Sequence, residues 1–536
     1  MIPGRAAALA AVLSLGSGLA AAEMVFVKDG AAVAVNAIGP VWQTREGALE
    51  CAGQNTIAHR LLAGSGLGQG DFTIRARLAV VKLANSSAAL VLGEDTFLGF
   101  AGGHGKVFVT GPWFGNASGK PIGEPTDFMK DGTPFELACS RQGDELTVAI
   151  DGREVYRQKP FHAGPVPCFG FTPVRATLRV ESFTASGTAA PYQAPTVFVA
   201  KPPVLCAAAT ALPQLPMGPF VRLGDGTILT VDEHTVLTSG DAGRTWQKGA
   251  ALFAKPEAFA TRPERALLCS REGVLLLIFL NQPELRYAWD KEANAPLPEM
   301  RLPSYCLRSE DGGKSWSEPI RLYNGWCGAI RDIIQTDSGA IVVPGQELLL
   351  QEGRHCTRAY VSRDLGKTWT YGQVLDIGGR GDHAGAVEAT LVQLRDRRIR
   401  MLIRSSHGCF YDAWSTDDGA TWSAPERSRI EASGAPGMLK RLADGRLVLA
   451  WNPLYLAGTT TRQQRTELAV AFSRDEGETW TPSAVLARNA DGNVNNANRV
   501  AYPYLYEPRP GYLWVTSMQG GLRCGVAVAD LEAAVR

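Results

Sequence analysis

Ser239-Gly-Asp-Ala-Gly-Arg-Thr-Trp246 recurs four times further along the chain, as Ser309-Glu-Asp-Gly-Gly-Lys-Ser-Trp316, Ser362-Arg-Asp-Leu-Gly-Lys-Thr-Trp369, Ser415-Thr-Asp-Asp-Gly-Ala-Thr-Trp422 and Ser473-Arg-Asp-Glu-Gly-Glu-Thr-Trp480. The starts lie 70, 53, 53 and 58 residues apart, the period of one blade of a β-propeller with loops of unequal length. Each copy is a turn. The Asp accepts hydrogen bonds from its own loop, the Gly supplies a left-handed residue and the Trp is a large apolar anchor between neighbouring units. These boxes are expected to hold the fold and to touch no substrate.

Around each box runs a longer repeat. One strand ends in a Gly turn (Phe220 to Gly226, Ile333 to Gly339, Met438 to Gly445), a β-branched or Leu-rich strand follows, and a third enters the box. A last copy, Tyr502 to Ala529, has strands without a box. The expected blades are roughly 215–250, 260–320, 328–375, 384–427, 434–485 and 498–533, six in all, closing radially so that only short sheet edges remain.

Upstream the boxes are absent, but apolar and polar residues alternate in Phe72-Thr-Ile-Arg-Ala-Arg-Leu78, Leu146-Thr-Val-Ala-Ile150 and Leu178-Arg-Val-Glu-Ser-Phe183, with Asp151-Gly152 as a hairpin turn. That is the pattern of a β-sandwich. The fold class is therefore all-β, a six-bladed propeller preceded by a β-sandwich of jelly-roll type. The expected organisation is an export signal over 1–22, the sandwich over 23–190, a linker over 191–210 containing Pro191, Pro195, Pro202 and Pro203, and the propeller over 211–536.

The signal rests on Arg5, an apolar stretch from Ala6 to Leu19 and Ala20-Ala21-Ala22 before Glu23. It predicts a secreted or periplasmic protein, with no membrane insertion after cleavage. Fifty-four basic side chains against 53 acidic give a net charge of +1, so no global field recruits nucleic acid. The ten cysteines form no C-x-x-C and no His stands at zinc-finger spacing, so no metal is expected. They can pair in an exported chain or remain buried thiols. No P-loop, H-E-x-x-H or G-x-S-x-G motif is present, and no cofactor is implied.

In a propeller the innermost strands line the central tunnel and their starts converge on one mouth. By the repeat, these starts fall near Phe220, Glu264/Arg265, Arg331/Asp332, Glu388, Met438 and Tyr502.

Over about 215–533 the chain resembles the sialidase (neuraminidase) superfamily. In that family three arginines hold the sugar carboxylate, a Tyr activated by a Glu is the nucleophile, and an Asp on a mobile loop is the acid/base. Val387-Glu388-Ala-Thr-Leu-Val-Gln-Leu394 followed by Met401-Leu-Ile-Arg404 resembles the segment with the activating Glu and a carboxylate-binding arginine, which implies Glu388 and Arg404. The segment from Arg465 to Ser473 resembles that of another such arginine, with Arg462 as an alternative. Ala501-Tyr502-Pro-Tyr-Leu-Tyr-Glu507 resembles the nucleophile segment and implies Tyr502, with Tyr504 on the same strand face as the fallback.

The first blade departs from the family. It reads Leu215-Pro-Met-Gly-Pro-Phe220 where the family has Arg-Ile-Pro; Arg222 falls late, and the following loop is short. Asp232, in the stub of that loop, is the candidate acid/base, with Asp332, Asp382 or His383 as alternatives. Arg331 is the candidate replacement for the missing arginine. The resemblance implies a retaining exo-sialidase acting on sialylated or other anionic glycans. Two rival expectations are an enzyme for another acidic or sulfated polysaccharide and a non-catalytic glycan-binding propeller. The upstream segment resembles the laminin-G/concanavalin-like jelly rolls attached to sugar-active enzymes.

Overall fold

The computed structural model describes residues 23–534 apart from 40–41, 53–58, 82–87, 101–104, 127, 163, 175, 197–200, 291, 457–463 and 491–497. The expected export signal lies outside the described residues. The chain divides into two compact units, Met1–Val199 and Ala200–Arg536.

The first unit is two antiparallel sheets, of nine and seven strands. In the larger, Gly66–Val81 lies between Thr177–Ala190 and Phe135–Gln142; in the smaller, Phe169–Thr172 lies between Arg60–Ala63 and Ala89–Leu92. Alternation along the strands sets which side chains face inward: Phe72, Ile74, Ala76 and Leu78 are buried while Arg75 and Arg77 are exposed. The two sheets bury one apolar core between them, in which Phe183 meets Phe26, Phe169 and Phe171 at ring-centroid distances of 4.9 to 5.7 Å. Asp151 and Gly152 both adopt positive φ, 49° and 75°, and join two strands as the sequence predicts.

The second unit is six blade sheets in chain order around a ring, with a further two-stranded sheet, Trp289–Asp290 and Ala295–Pro296, among the described residues. Their first strands are Val221–Arg222, Thr261–Cys269, Cys327–Ile330 with Ile334–Gln335, Ala389–Gln393, Met438–Arg441 and Ala501–Arg509. Apolar clusters fill the space between successive blades.

The boxes explain much of this packing. In all five the Ser Oγ donates to the Asp Oδ1 at 2.8 Å. The backbone N–H of the following Thr or Ser donates to the same oxygen at 2.8 to 2.9 Å. The box Gly sits at φ of 81° to 88°. It also abuts the second strand of the preceding blade: a Cβ would fall 2.2 Å from the Trp514 ring at Gly243, and 2.8 Å from Leu229 at Gly313 and from Val342 at Gly419. Glycine is thus required twice, by backbone conformation and by the close approach of neighbouring blades. Because strands alternate in direction, the boxes between third and fourth strands lie at the end of the ring opposite the starts of the first strands.

The stretch read as linker differs from expectation in its second half. Ala209–Ala211 pairs with Arg523–Ala527 as the outer strand of the last blade, and Val204–Leu205 pairs with Ala484–Arg488 on the fifth. The ring is therefore closed by strand pairing between its two ends, and this also completes the blade that has no box. All ten cysteines are free thiols, eight of them buried. No described helix is long and apolar enough to cross a membrane.

Candidate active site

Glu388 and Arg404 face each other across the first two strands of blade four: Arg404 N–H donates to the Glu388 carbonyl at 3.0 Å, and Val387 N–H to the Arg404 carbonyl at 3.1 Å. This places the two side chains together at the mouth, where Arg404 Nη1 donates to Glu388 Oε2. Tyr502, from the start of the sixth blade, donates its phenol to Glu388 Oε1 at 2.7 Å and accepts from Arg404 Nη1 at 3.1 Å. A base, a phenol and a guanidinium thus share one closed hydrogen-bond triangle, and all three side chains are buried.

The electrostatics fit a phenol waiting for a base. Burial and the Glu388 charge raise Tyr502 above its ordinary value, against the pull of Arg404 and Arg465. Burial alone would raise Glu388 too, but the Arg404 charge and the bonds from Tyr502 and Arg404 outweigh it and hold the carboxyl low. The proton therefore rests on Tyr502 and the negative charge on Glu388, in position to exchange.

Tyr502 has φ of 64°, a conformation costly for a bulky side chain and found where surrounding contacts enforce it. It separates two tyrosines that an ideal strand would point alike. Tyr504 turns its phenol to the backbone of blade two, donating to the Pro263 carbonyl at 2.8 Å with the Arg265 carbonyl also in reach at 3.0 Å. Tyr504 is thereby committed to structure.

Arg465 stands just before Glu467–Ser473. Its guanidinium lies 5.3 Å from the Tyr502 ring centroid and donates to the Gly434 carbonyl at 2.6 Å and to Gln519 Oε1 at 3.2 Å. Arg462 lies outside the described residues. Arg331 is 2% exposed and fits between the rings of Tyr502 and Tyr504, at 5.3 and 4.4 Å from their centroids. It donates to the Pro503 carbonyl at 2.6 Å, and its Nε and Nη1 have no hydrogen-bond partner among the described residues.

The acid/base candidates separate clearly. Asp232 closes its own turn: His234 and Thr235 N–H donate to Oδ1 at 2.9 and 2.6 Å, and Thr235 Oγ1 to Oδ2 at 3.0 Å. Burial pushes this carboxyl up, but the three bonds prevail and hold it low, which favours a permanent carboxylate over a proton donor. Asp332 is buried, accepts from Thr390 Oγ1 at 2.6 Å and Leu391 N–H at 2.9 Å, and pairs with Lys440; it ties three blades together. Asp382 and His383 sit at the crest of the loop that ends in Glu388. Asp382 is partly open and accepts from Tyr287 Oη at 2.8 Å. His383 is exposed and lies within the field of Arg404, Arg465 and Glu388.

In blade one, Leu215 packs with Phe220, Ile228 and Trp514, so no arginine occupies that place. Arg222 donates to the Gly226 carbonyl at 2.8 Å, in the turn that ends the first strand, away from the mouth. Arg265, at a strand start the repeat points to, is fully enclosed, and its neighbour Arg523, just past the Gln519 hairpin end of blade six, is the charge missed in the sequence; neither forms an ion pair among the described residues. Burial and the Arg265 charge lower Arg523 to about 10. Only the strand register, unknown before the structure, places Arg523 near the mouth. No cluster of His, Cys, Asp and Glu that could hold a metal ion occurs among the described residues.

Residues 266–515 match the model of the BNR repeat-like domain family. A sialidase of Clostridium perfringens is 25% identical over 343 residues, covering 56% of this chain and 80% of that one. Solved structures similar to the chain include the NanB sialidase of Streptococcus pneumoniae, at 12% identity with 87% of this chain and 96% of that chain covered and a TM-score of 0.42. Another is an α-L-arabinanase of Penicillium chrysogenum, at 12% identity with 63% and 100% covered and a TM-score of 0.39. By repeat and by blade architecture the chain is a six-bladed propeller that carries a BNR repeat-like domain over residues 266–515 and is similar in sequence to a sialidase.

Proposed function

We propose that the protein is a glycoside hydrolase of the exo-sialidase type, releasing terminal sialic acid or a related anionic sugar from glycoconjugates with retention of configuration. The observation that carries this reading is the Glu388–Tyr502–Arg404 triangle. A neutral phenol beside a held carboxylate is a nucleophile with its base in place. It suits an anomeric centre that bears its own carboxylate, which a carboxylate nucleophile would repel.

In the first step Tyr502 Oη attacks the anomeric carbon, the bond from that carbon to the glycosidic oxygen breaks with its electron pair left on that oxygen, and the Tyr502 proton passes to Glu388. Arg404 and Arg465 bring positive charge to the substrate carboxylate, where planar guanidinium groups bind bidentately. Arg331, enclosed by the two tyrosine rings, positions the nucleophile. The excess of guanidinium groups around one mouth supports an anionic ligand. We propose that this activity is exerted outside the cytoplasm, on the reading of residues 1–22 as an export signal.

The test is release of fluorophore from an aryl α-sialoside. Wild type is expected to turn over and Tyr502→Phe to lose at least about 10³-fold in kcat, while Tyr504→Phe keeps most of the rate. A Tyr502→Phe enzyme as active as wild type refutes the mechanism. A wild type inert to the sialoside that still binds anionic glycans supports the non-catalytic reading.

A further inference from the structure

The loop from the outer strand of blade three to Glu388 contains Gly378-Gly-Arg-Gly381-Asp382-His-Ala-Gly385, whose four glycines all have positive φ, 75°, 96°, 129° and 93°. At Gly385 a Cβ would stand 2.0 Å from the His355 carbonyl, so this loop is folded tightly against blade three. His355 holds it at three points. Its N–H donates to the Ala384 carbonyl at 2.9 Å, its carbonyl accepts from Ala386 N–H at 3.1 Å, and its Nε2 meets the Asp382 carbonyl at 2.8 Å. A carbonyl only accepts, so Nε2 carries the proton, and Nδ1 accepts from Gln346 Nε2 at 3.1 Å. The backbone of Asp382 is fixed while its side chain is presented outward.

A second element reaches the same place. Blade two has a long insertion between its second and third strands, Leu275–Asn281 and Ser304–Ser309, at the end of the ring where the mouth lies. From it Tyr287 donates to Asp382 Oδ2 at 2.8 Å, and the Ala293 carbonyl accepts from Arg380 at 3.4 Å. Asp382 Oδ1 has no hydrogen-bond partner among the described residues. Tyr287 is itself 46% exposed and packs edge-on against Trp326 with centroids 5.8 Å apart, an aromatic surface beside an open carboxyl oxygen.

The other carboxylates by the mouth are engaged. Asp232 has both oxygens bonded within its turn, Asp332 is buried against Lys440, and Glu264, mostly buried, is held against Arg262 at 3.4 Å as an ion pair without a hydrogen bond. We propose that Asp382 is the acid/base of the reaction, positioned by Tyr287, and that the leaving group lies against Tyr287 and Trp326. The proposal rests on the hydrolase reading above. It moves proton donation from the first blade, whose loop is too short, to the joint between blades two, three and four.

The step balances as follows. As the Tyr502 oxygen bonds to the anomeric carbon, the bond from that carbon to the glycosidic oxygen breaks. Its electron pair stays on the oxygen, which takes the proton of Asp382 Oδ1; the Tyr502 proton goes to Glu388. In the second step the Asp382 carboxylate takes a proton from water, the water oxygen bonds to the anomeric carbon, and Tyr502 departs and recovers its proton from Glu388.

A proton donor matters in proportion to how poor the leaving group is. The test compares two α-sialosides, one of an acidic phenol and one of a sugar hydroxyl, on wild type, Asp382→Ala, Tyr287→Phe and Asp232→Ala. Asp382→Ala is expected to lose about 10²- to 10⁴-fold in kcat/KM on the sugar sialoside and at least tenfold less than that on the aryl sialoside, with added azide accelerating its second step. Tyr287→Phe is expected to show a smaller loss with the same preference, which a merely structural role would not produce. Equal losses of Asp382→Ala on both substrates overturn the proposal, as does leaving-group dependence in Asp232→Ala but not in Asp382→Ala. An inert wild type overturns the hydrolase reading and this proposal with it; an active wild type with an unselective Asp382→Ala overturns this proposal alone.

Discussion

Replacing Glu388 with Gln tests the core of the site, because the structure predicts two separable losses. The wild-type carboxylate accepts on both oxygens, from Tyr502 at 2.7 Å and from Arg404. An amide has one oxygen. If that oxygen accepts from Tyr502, the amide N–H₂ faces the Arg404 guanidinium, donor against donor; if it accepts from Arg404, the Tyr502 O–H loses its acceptor. In either case Arg404, 4% exposed, keeps its charge with no anion beside it, and removing one partner of a buried pair costs about 3–5 kcal/mol. Adding Arg404→Met removes that stranded charge, so the double variant is expected to recover most of the stability. Catalysis follows a different rule: both variants lack the base, so both lose about 10²- to 10⁴-fold in kcat. Urea unfolding followed by Trp fluorescence, to which ten of the 12 tryptophans contribute from residues 200–536, reads the first effect, and aryl-sialoside turnover reads the second. A single variant as stable as wild type, or a double variant less stable than the single, refutes the buried-pair account. Activity within tenfold of wild type refutes Glu388 as base.

Asp364→Ala removes the acceptor of the Ser362 hydroxyl and of the Thr368 N–H and hydroxyl; it is expected to lower stability by about 1–3 kcal/mol and leave kcat/KM of the folded protein as it was. The box carboxyls Asp241, Asp311, Asp364 and Asp475 are held at about 2 by these bonds, against 3.8 unperturbed. Their folded values are depressed, so their contribution is complete above about pH 4 and is lost as pH falls from there towards 2, and an acid titration of unfolding should show the loss in that window. Arg331→Ala is expected to lower kcat with KM changed by less than about twofold, because its contacts are with Tyr502, Tyr504 and the Pro503 carbonyl; a large rise in KM would return it to the carboxylate clamp.

What could be read from the sequence followed from the repeat. Tyr502 and Glu388 are 114 residues apart and Arg404 and Tyr502 98, separations at which local patterns say nothing. Five boxes in register nevertheless turn such pairs into equivalent positions on successive blades, which assigns Glu388 and Tyr502 to one mouth, while Arg404 and Arg465 follow only from the resemblance of their segments to those of sialidases. Where the repeat gave no ruler, the reading failed for identifiable reasons. Ala209–Ala211 closes the ring, but three small residues show no alternation. The left-handed φ of Tyr502 is imposed by its surroundings and leaves no mark in composition, so Tyr504 looked equivalent. Asp232 was legible as a turn-former from Asp232-Glu-His-Thr235, a side chain that caps its own loop, yet its position in the short loop made it look catalytic.

The boxes lie at the opposite end of the ring from this chemistry, and that limits what the repeat can imply. Every hydrogen bond a box Asp side chain makes is within its own turn, and every box Gly is constrained by a neighbouring blade. The boxes would therefore persist unchanged in a propeller that had lost Glu388 and Tyr502. Fold and catalysis are encoded in separate residues, and they meet only through the strand starts whose positions the boxes set. The insertion of blade two falls outside even that scheme, since the repeat has no equivalent of Tyr287. With Asp382 as the proton donor, a loop and an insertion outside the repeat decide how the leaving group is handled, while the repeated geometry of the ring fixes only the nucleophile, its base and the surrounding charge.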